Sequence, residues 1–332
     1  MSDKLFFNYS RSALYFGIKN LKFLQSADIK KKILIPSYIC NTIIQPIKEN
    51  NLDITFYKIN KDLTTDWDDL VSKIDNKLFA VLFVNYFGIM NDIDKYLDLK
   101  SKYNFYLIED SSHGFTGGVS KYKIGSIGDI SILSPRKNLP LSYGGVLKLN
   151  CKNFIQNDYL KIPKQFISIK NYLNYNINSY FLKQKLILKK NIGFNHKNNF
   201  LNDELEINVK YKRLDILSTL IIKKFNWQQN SKTRIDNYNS WLIFAKKNNL
   251  NTPFNQLLKH SSLLTPWCLP ILTKNNNERD KIINWTHKNN YLAFSWTTLP
   301  KNVTDPTALY LSNHVICFST YLNPKKNLNN EI

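Results

Sequence analysis

Three short segments of this sequence carry residue types that could act on an amine and a carbonyl. Ser134-Pro135-Arg136-Lys137 follows an apolar run and precedes Gly144-Gly145. A lysine fixed at a sheet edge beside a cationic neighbour loses its proton readily and forms a Schiff base with an aldehyde. Ile108-Glu109-Asp110-Ser111-Ser112-His113-Gly114 puts a carboxylate at the end of another apolar run, with a histidine three residues on. A carboxylate there keeps a nearby ring nitrogen protonated. Ser10-Arg11-Ser12-Ala13 opens an amphipathic stretch, and the exposed N–H groups of a helix start suit a phosphate. Each has an ordinary reading too: a helix cap, a satisfied buried histidine, one of 41 lysines. Together they supply a phosphate cradle, an acid for a pyridine nitrogen and a lysine for an aldehyde. Pyridoxal phosphate (PLP) requires those three things.

The elements that would position these residues are legible in the first 150 positions. Lys32–Pro36, Asp53–Ile59, Phe79–Val84, Phe105–Ile108, Ile130–Leu133 and Val146–Leu149 read as strands. Phe79–Val84 is continuously apolar, as a strand buried on both faces must be. Ser12–Leu24, Asn41–Asn50, Trp67–Ile74 and Asp92–Tyr103 have helical spacing between them, and Ser10-Arg11-Ser12 suits a helix cap. Strand–helix alternation predicts a mainly parallel sheet covered on both faces. In such sheets ligands bind beyond the carboxyl ends of the strands, where Asp110 and the Ser134–Lys137 segment would stand. Farther on, 203–239 and 278–289 read as helices, and Trp267–Leu272 and His314–Phe318 as strands, a second α+β unit. The expected division is a large domain over 1–210 and a small one over 211–332.

Length and composition bound the rest. The 332 residues are 43% hydrophobic, enough for two cores and too apolar for disorder. The net charge of +21 rests on 41 Lys and only 5 Arg, alongside 44 Asn. Nucleic-acid surfaces favour the bidentate fork of Arg, so a shared bias of Lys and Asn along the whole chain, including 161–199, argues a solvated surface and no nucleic-acid partner. Each of the few Arg is correspondingly informative, and Arg11 and Arg136 lie in the segments above. Four scattered Cys with no CxxC pair exclude a disulfide scaffold and a zinc ribbon, and no metal site is expected. No apolar run reaches the roughly 18 residues of a membrane span, and the N-terminus lacks a leader pattern; a cytoplasmic protein is expected.

The segments in this order resemble the DegT/DnrJ/StrS-type family of PLP-dependent sugar aminotransferases. SRSALYFGIKNL is similar to its phosphate-loop helix, ILIPSYICNTIIQPI to its second strand and helix, VLFVNYFG to a strand ending in an aromatic–Gly turn, LIEDSSHGFTGG to its pyridine-binding segment and GSIGDISILSPRKNLPLSYGGVL to its lysine segment. TPWCLPIL, NWTHKNNYLAFSWTTLP and SNHVICFS follow the order of its small domain. The resemblance implies PLP-dependent transferase fold type I: a large domain with a mostly parallel central sheet flanked by helices, and a smaller α+β C-terminal domain. It implies that Lys137 links to the cofactor and moves the proton, that Asp110 pairs with the pyridine nitrogen, and that His113 stands on the ring-oxygen side. Arg11, Ser12 and Ala13 would offer the phosphate loop, Ser134 its hydroxyl, and Cys40 or Tyr38 the slot of the aromatic that covers the ring. Transfer of an amino group, from glutamate, to a nucleotide-linked keto-sugar is implied, as is a homodimer with a shared site. Sugar dehydration on the same cofactor, or a non-catalytic member, are the alternatives. Relatives that dehydrate replace the lysine with His, and here the residue is Lys137. The chain departs from the family pattern at Ser10 (usually Gly), at Ser142-Tyr143 before the Gly pair, and in the three-residue spacing of Ser134 to Lys137.

Overall fold

A computed structural model describes residues 4–25, 30–115, 118–119, 122–139, 141, 143–151, 156–166, 210–252, 265–289, 291–321 and 323–324. Twelve strands and nine α-helices are assigned among them. In chain order the strands are β1 Lys4–Phe7, β2 Lys32–Pro36, β3 Asp53–Tyr57, β4 Leu78–Val84, β5 Tyr106–Ser111, β6 Gly118–Val119, β7 Tyr122–Lys123, β8 Ile130–Leu133, β9 Gly145–Leu149, β10 Cys268–Leu272, β11 Ala293–Ser295 and β12 Val315–Ser319. The helices are α1 Ser10–Leu24, α2 Ile44–Lys48, α3 Trp67–Ser72, α4 Ile93–Tyr103, α5 Gln156–Lys161, α6 Ile216–Lys224, α7 Trp227–Lys247, α8 Asn276–Lys288 and α9 Pro306–His314.

Seven strands form one sheet in the order β1-β9-β8-β5-β4-β2-β3. The pairs among β8, β5, β4, β2 and β3 are parallel, and β9 runs antiparallel to both of its neighbours. All seven residues of β4 are buried, because helices cover both faces. The sheet packs its core around Leu14, Ile18, Ile35, Val81, Leu107 and Ile130, all fully buried. Gly17 lets α1 lie flat on this sheet, since a Cβ there would meet Ile130 Cδ1 at 2.6 Å. A second sheet, β10-β12-β11, is antiparallel and packs under α7 and α8 through Trp241, Phe244, Ile282 and Phe318. The two units share apolar contacts: Trp267, Phe294, Trp296 and Cys317 pack into the main core.

The six expected strands of the first 150 residues are present, the second ending at Tyr57, with Ile59 instead forming an isolated bridge to Thr65. Two differences concern the site. First, α1 starts at Ser10, and its cap position is Tyr9, with no side-chain cap. The Ser12 hydroxyl instead donates to Asn8 Oδ1 at 2.7 Å. Second, the single helix expected over 203–239 is two helices, α6 and α7; its first residues, 203–209, lie outside the described residues. The break comes at Phe225-Asn226, where the Asn226 side chain accepts from the Gln229 N–H and starts α7 anew. Ser142, one of the departures from the family pattern, lies outside the described residues.

Candidate active site

The parallel strands β4, β5 and β8 end side by side, and their last residues build the floor of the site. Strand alternation sends Glu109 and Asp110 to opposite faces. Glu109 is fully buried. It accepts hydrogen bonds from Asn85 Nδ2 (3.1 Å), Ser111 Oγ (2.7 Å), Gly125 N (2.7 Å), Ile127 N (3.0 Å) and Ser131 Oγ (2.8 Å). Five donors make the buried charge tolerable, and the loop after β7 is thereby fixed to β5 and β8. Asp110 has a sparser environment. Its Oδ1 accepts from the Ser112 N–H at 2.9 Å, and its carbonyl from the Asn85 N–H. Burial pushes the Asp110 carboxyl above the usual range, while hydrogen bonds from Ser112 and the charge of Lys137 hold it partly down.

Lys137 closes a short 3₁₀ turn, Pro135–Lys137, directly after β8. Its Nζ lies 4.6 Å from the centroid of the Trp267 ring, a cation–π distance. The Trp267 ring stacks on His113 (4.7 Å, 29°), and His113 stacks on Phe87 (5.7 Å, 13°) and meets Trp296 edge-on (4.8 Å, 83°). The Phe87 backbone aligns this stack: its N–H donates to His113 Nδ1 at 3.0 Å, and its carbonyl accepts from the Trp267 N–H at 2.8 Å. Phe87 holds φ +56° to do so, and Gly88 follows at φ +86°, with space for no side chain: a Cβ would meet the Thr265 carbonyl at 2.5 Å. Since Nδ1 is an acceptor, the ring proton of a neutral His113 sits on Nε2. Burial, and then the Lys137 charge, push the His113 pKa well down, so the ring is neutral at pH 7.

The helix start lies beside the lysine turn. Gly145, at the head of β9, touches the backbone of Tyr9 and Ser10 so closely that a Cβ would stand 2.1 Å from the Tyr9 carbonyl carbon. The Tyr9 ring lies under two of the five guanidinium groups, Arg11 at 4.6 Å and Arg136 at 5.6 Å, and packs edge-on against Tyr143. The first turn of α1 contains no acidic residue, so nothing there neutralises the positive end of the helix. The N–H groups of Ser12 and Ala13 reach the Tyr9 carbonyl at 3.1 and 3.2 Å. Ser10 and Arg11 open the turn, where a helix offers its own amides no acceptor. Among the described residues Ser134 Oγ and both side-chain polar atoms of Asn138 are buried without a hydrogen-bond partner, and each residue is 1% exposed. Buried polar groups are rarely left so, and these flank Lys137 on both sides.

Of the residues singled out from sequence, Lys137, Asp110 and His113 come together, with Ser134 in the same turn as Lys137. Arg11, Ser12 and Ala13 form the adjoining helix start. Tyr38 is fully buried behind Trp296, to whose carbonyl its hydroxyl donates at 2.6 Å. Cys40 is partly exposed, and its Sγ lies 3.2 Å from Thr42 Oγ1. The ring that lies over the Lys137 amine is Trp267, which sequence reasoning did not single out. No local spacing marks it, because the contact joins residues 130 positions apart.

Residues 13–160 match the family model described as the DegT/DnrJ/EryC1/StrS aminotransferase family. A GDP-perosamine synthase of Vibrio cholerae is 27% identical over 137 residues, which is 40% of this chain and 37% of that protein. The match thus spans little more than a third of the relative's length. Likeness of structure reaches farther. A Helicobacter pylori aminotransferase of pseudoaminic acid biosynthesis, PseC, superposes with TM-score 0.66 at 18% identity, over 96% of this chain and 82% of that one. An E. coli GDP-4-keto-6-deoxy-D-mannose-3-dehydratase with bound hydrated PLP superposes with TM-score 0.66 at 14% identity, over 95% and 82%. The fold is the one expected from sequence, PLP-dependent transferase fold type I.

Proposed function

We propose, for a chain whose residues 13–160 belong to the DegT/DnrJ/EryC1/StrS aminotransferase family, that it is a PLP-dependent aminotransferase acting on a nucleotide-linked keto-sugar with glutamate as amino donor. Surface-polysaccharide or modified-sugar biosynthesis is the setting that fits the relatives' names. The observation that carries this reading is the meeting of Lys137, Asp110 and His113 at the carboxyl ends of β5 and β8, beside a helix start with an unneutralised positive end and a buried Ser134 hydroxyl that lacks a partner.

The residues present fit PLP. Ser134 Oγ has hydrogen-bonding capacity to give, and the Gly145 contact draws the start of α1 up to the lysine turn. When bound, PLP supplies an electron sink that makes the α-proton of an attached amino acid acidic. Ser134 and the opening amides of α1 would hold its phosphate. Asp110, whose carboxylate has no arginine partner among the described residues, would hold a proton on the pyridine nitrogen. His113 Nε2–H would donate to the ring oxygen. Lys137 would anchor the aldehyde and, once released, remove the α-proton of the amino donor. Trp267 and Trp296, both buried, would keep water from this corner. The presence of Lys137 favours amine transfer over dehydration.

The partner in this reading is a second copy of the chain. Ile216, Leu217 and Leu220 of α6 are 62%, 41% and 44% exposed, an apolar surface suited to a homodimer interface. Among the described residues no helix is long and apolar enough to cross a membrane, which suits a cytoplasmic enzyme using nucleotide sugars.

The test is an absorbance spectrum of the protein with PLP added, before and after excess glutamate. A visible band that glutamate bleaches, and that borohydride fixes to the Lys137 peptide, is expected. Lys137→Ala should fold and show no band. A band fixed elsewhere, or none in the wild type, overturns the reading, and a band indifferent to glutamate overturns the donor.

A further inference from the structure

The backbone that follows Lys137 is held from the other unit. Tyr321 Oη donates to the Lys137 carbonyl at 3.2 Å, and Arg234 Nη2 donates to the Asn138 carbonyl at 3.3 Å. Arg234 stands in α7 and is 1% exposed. Its remaining contacts are neutral: Nη1 to Thr320 Oγ1 at 2.9 Å, Nε to Asn230 Oδ1 at 3.2 Å, and the Tyr321 ring 4.0 Å from its Cζ. Among the described residues no carboxylate pairs with it.

The same knot reaches the opposite wall. Thr320 Oγ1 lies 2.6 Å from the Pro266 carbonyl and 3.0 Å from that of Trp267, and the Thr320 carbonyl accepts from Asn237 Nδ2 at 2.8 Å. Trp267 is the residue whose indole lies over Lys137 Nζ. One guanidinium therefore connects the turn that carries the amine with the strand start that carries its cover. The Cys268 thiol, between them, feels the charges of both Lys137 and Arg234. Burying an unpaired cation is costly, and a neutral donor could tie one carbonyl at less cost. What the planar fork adds is a fixed angle between several acceptors at once.

We propose that Arg234 is a positioning residue: from the second unit it clamps the Lys137 turn and the Trp267 backbone in one register and so sets the position of the Lys137 amine. The functional interest rests on Lys137 being the reactive lysine, but the clamp can be tested without cofactor. A water-soluble amine-acylating reagent is applied to the protein without PLP, and the labelling rate of Lys137 is read by peptide mass spectrometry against the other lysines. Releasing a hydrogen-bonded tie should raise the Lys137 rate about threefold or more in Arg234→Gln, with the other lysines unchanged. Arg234→Lys, which keeps the charge and a donor but not the fork, should leave most of that rise in place. Tyr321→Phe keeps Arg234 and removes only the hydroxyl, and should raise the rate about twofold. An unchanged Lys137 rate, a rise shared by all lysines, or a wild-type rate in Arg234→Lys overturns the proposal. If Arg234→Gln does not fold, Arg234→Lys decides in its place, because Tyr321→Phe leaves the guanidinium intact. Failure of the PLP reading would show instead as absence of the visible band, with these labelling ratios unaffected.

Discussion

Glu109 and Asp110 stand back to back on β5, and the protein treats their carboxylates in opposite ways. Glu109 is saturated by five donors, whereas Asp110 has Ser112 beside it and the charge of Lys137. Isosteric amides should separate a structural anion from a binding one. Glu109→Gln turns an acceptor into a donor facing donors, and should cost about 3 kcal/mol in urea unfolding. Asp110 has the opposite sign. Its carboxyl is raised in the fold, so above that raised pKa its charge works against folding, and the penalty disappears once both folded and unfolded forms are protonated. Asp110→Asn without PLP should therefore unfold at equal or higher urea than wild type at pH 7, and at the same urea below pH about 4. It should also lose the visible band's response to glutamate.

Ser134→Ala tests whether the partnerless hydroxyl belongs to a ligand. A hydroxyl that satisfies nothing in the fold can be removed with little or no loss of stability. If it serves a phosphate, removal should weaken PLP retention about tenfold or more, since hydrogen bonds to charged groups are worth about 1.5–3 kcal/mol. Thermal unfolding and a PLP titration check the two halves separately.

His113 predicts a pH dependence of stability. Its folded pKa lies well below the ordinary 6.5, so the unfolded chain takes up a proton near pH 6.5 that the folded chain refuses. Stability should fall as pH drops from 7 to 5. His113→Asn keeps an acceptor for the Phe87 N–H and should flatten that slope. Nitrogen chemical shifts of the wild type should show a neutral Nε2–H ring across this range.

Gly145→Ala forces backbone against backbone. The added methyl would lie 2.1–2.4 Å from Tyr9 and Ser10 main-chain atoms, none of which can swing aside as a side chain would. A loss of about 3 kcal/mol is expected, with a larger proportional loss of PLP retention, because the helix start is displaced from the lysine turn. Urea unfolding and PLP titration of the variant measure both.

How much of this was legible beforehand follows from what each position needed. Phe79–Val84 announced itself, since a strand buried on both faces is apolar throughout. Asp110 and Lys137 stood out as polar residues at strand ends. By contrast β1, Lys4–Phe7, is four residues long and owes its existence to pairing with β9. Trp267 and Trp296 are ordinary core aromatics until the second unit folds onto the first. For Arg234 a signal did exist. It shares a buried stripe of α7 with Tyr238, Trp241 and Ala245, at the i, i+4, i+7, i+11 spacing of a core face. In a chain with five Arg, one on such a stripe points inward for a reason.

The tie from Tyr321 to Lys137 spans 184 residues of sequence. At a synthesis rate of roughly 5–20 residues per second, the nascent chain displays the lysine turn for about 10 to 40 s before that tie can form. The amine at first lacks both its indole cover and its backbone ties; Trp267 is added 130 residues after Lys137, and the Tyr321 tie comes last. Completion of this corner is therefore a late event on the ribosome, and a chain stalled or cleaved before residue 321 would carry a finished central sheet beside a Lys137 turn still missing its last tie.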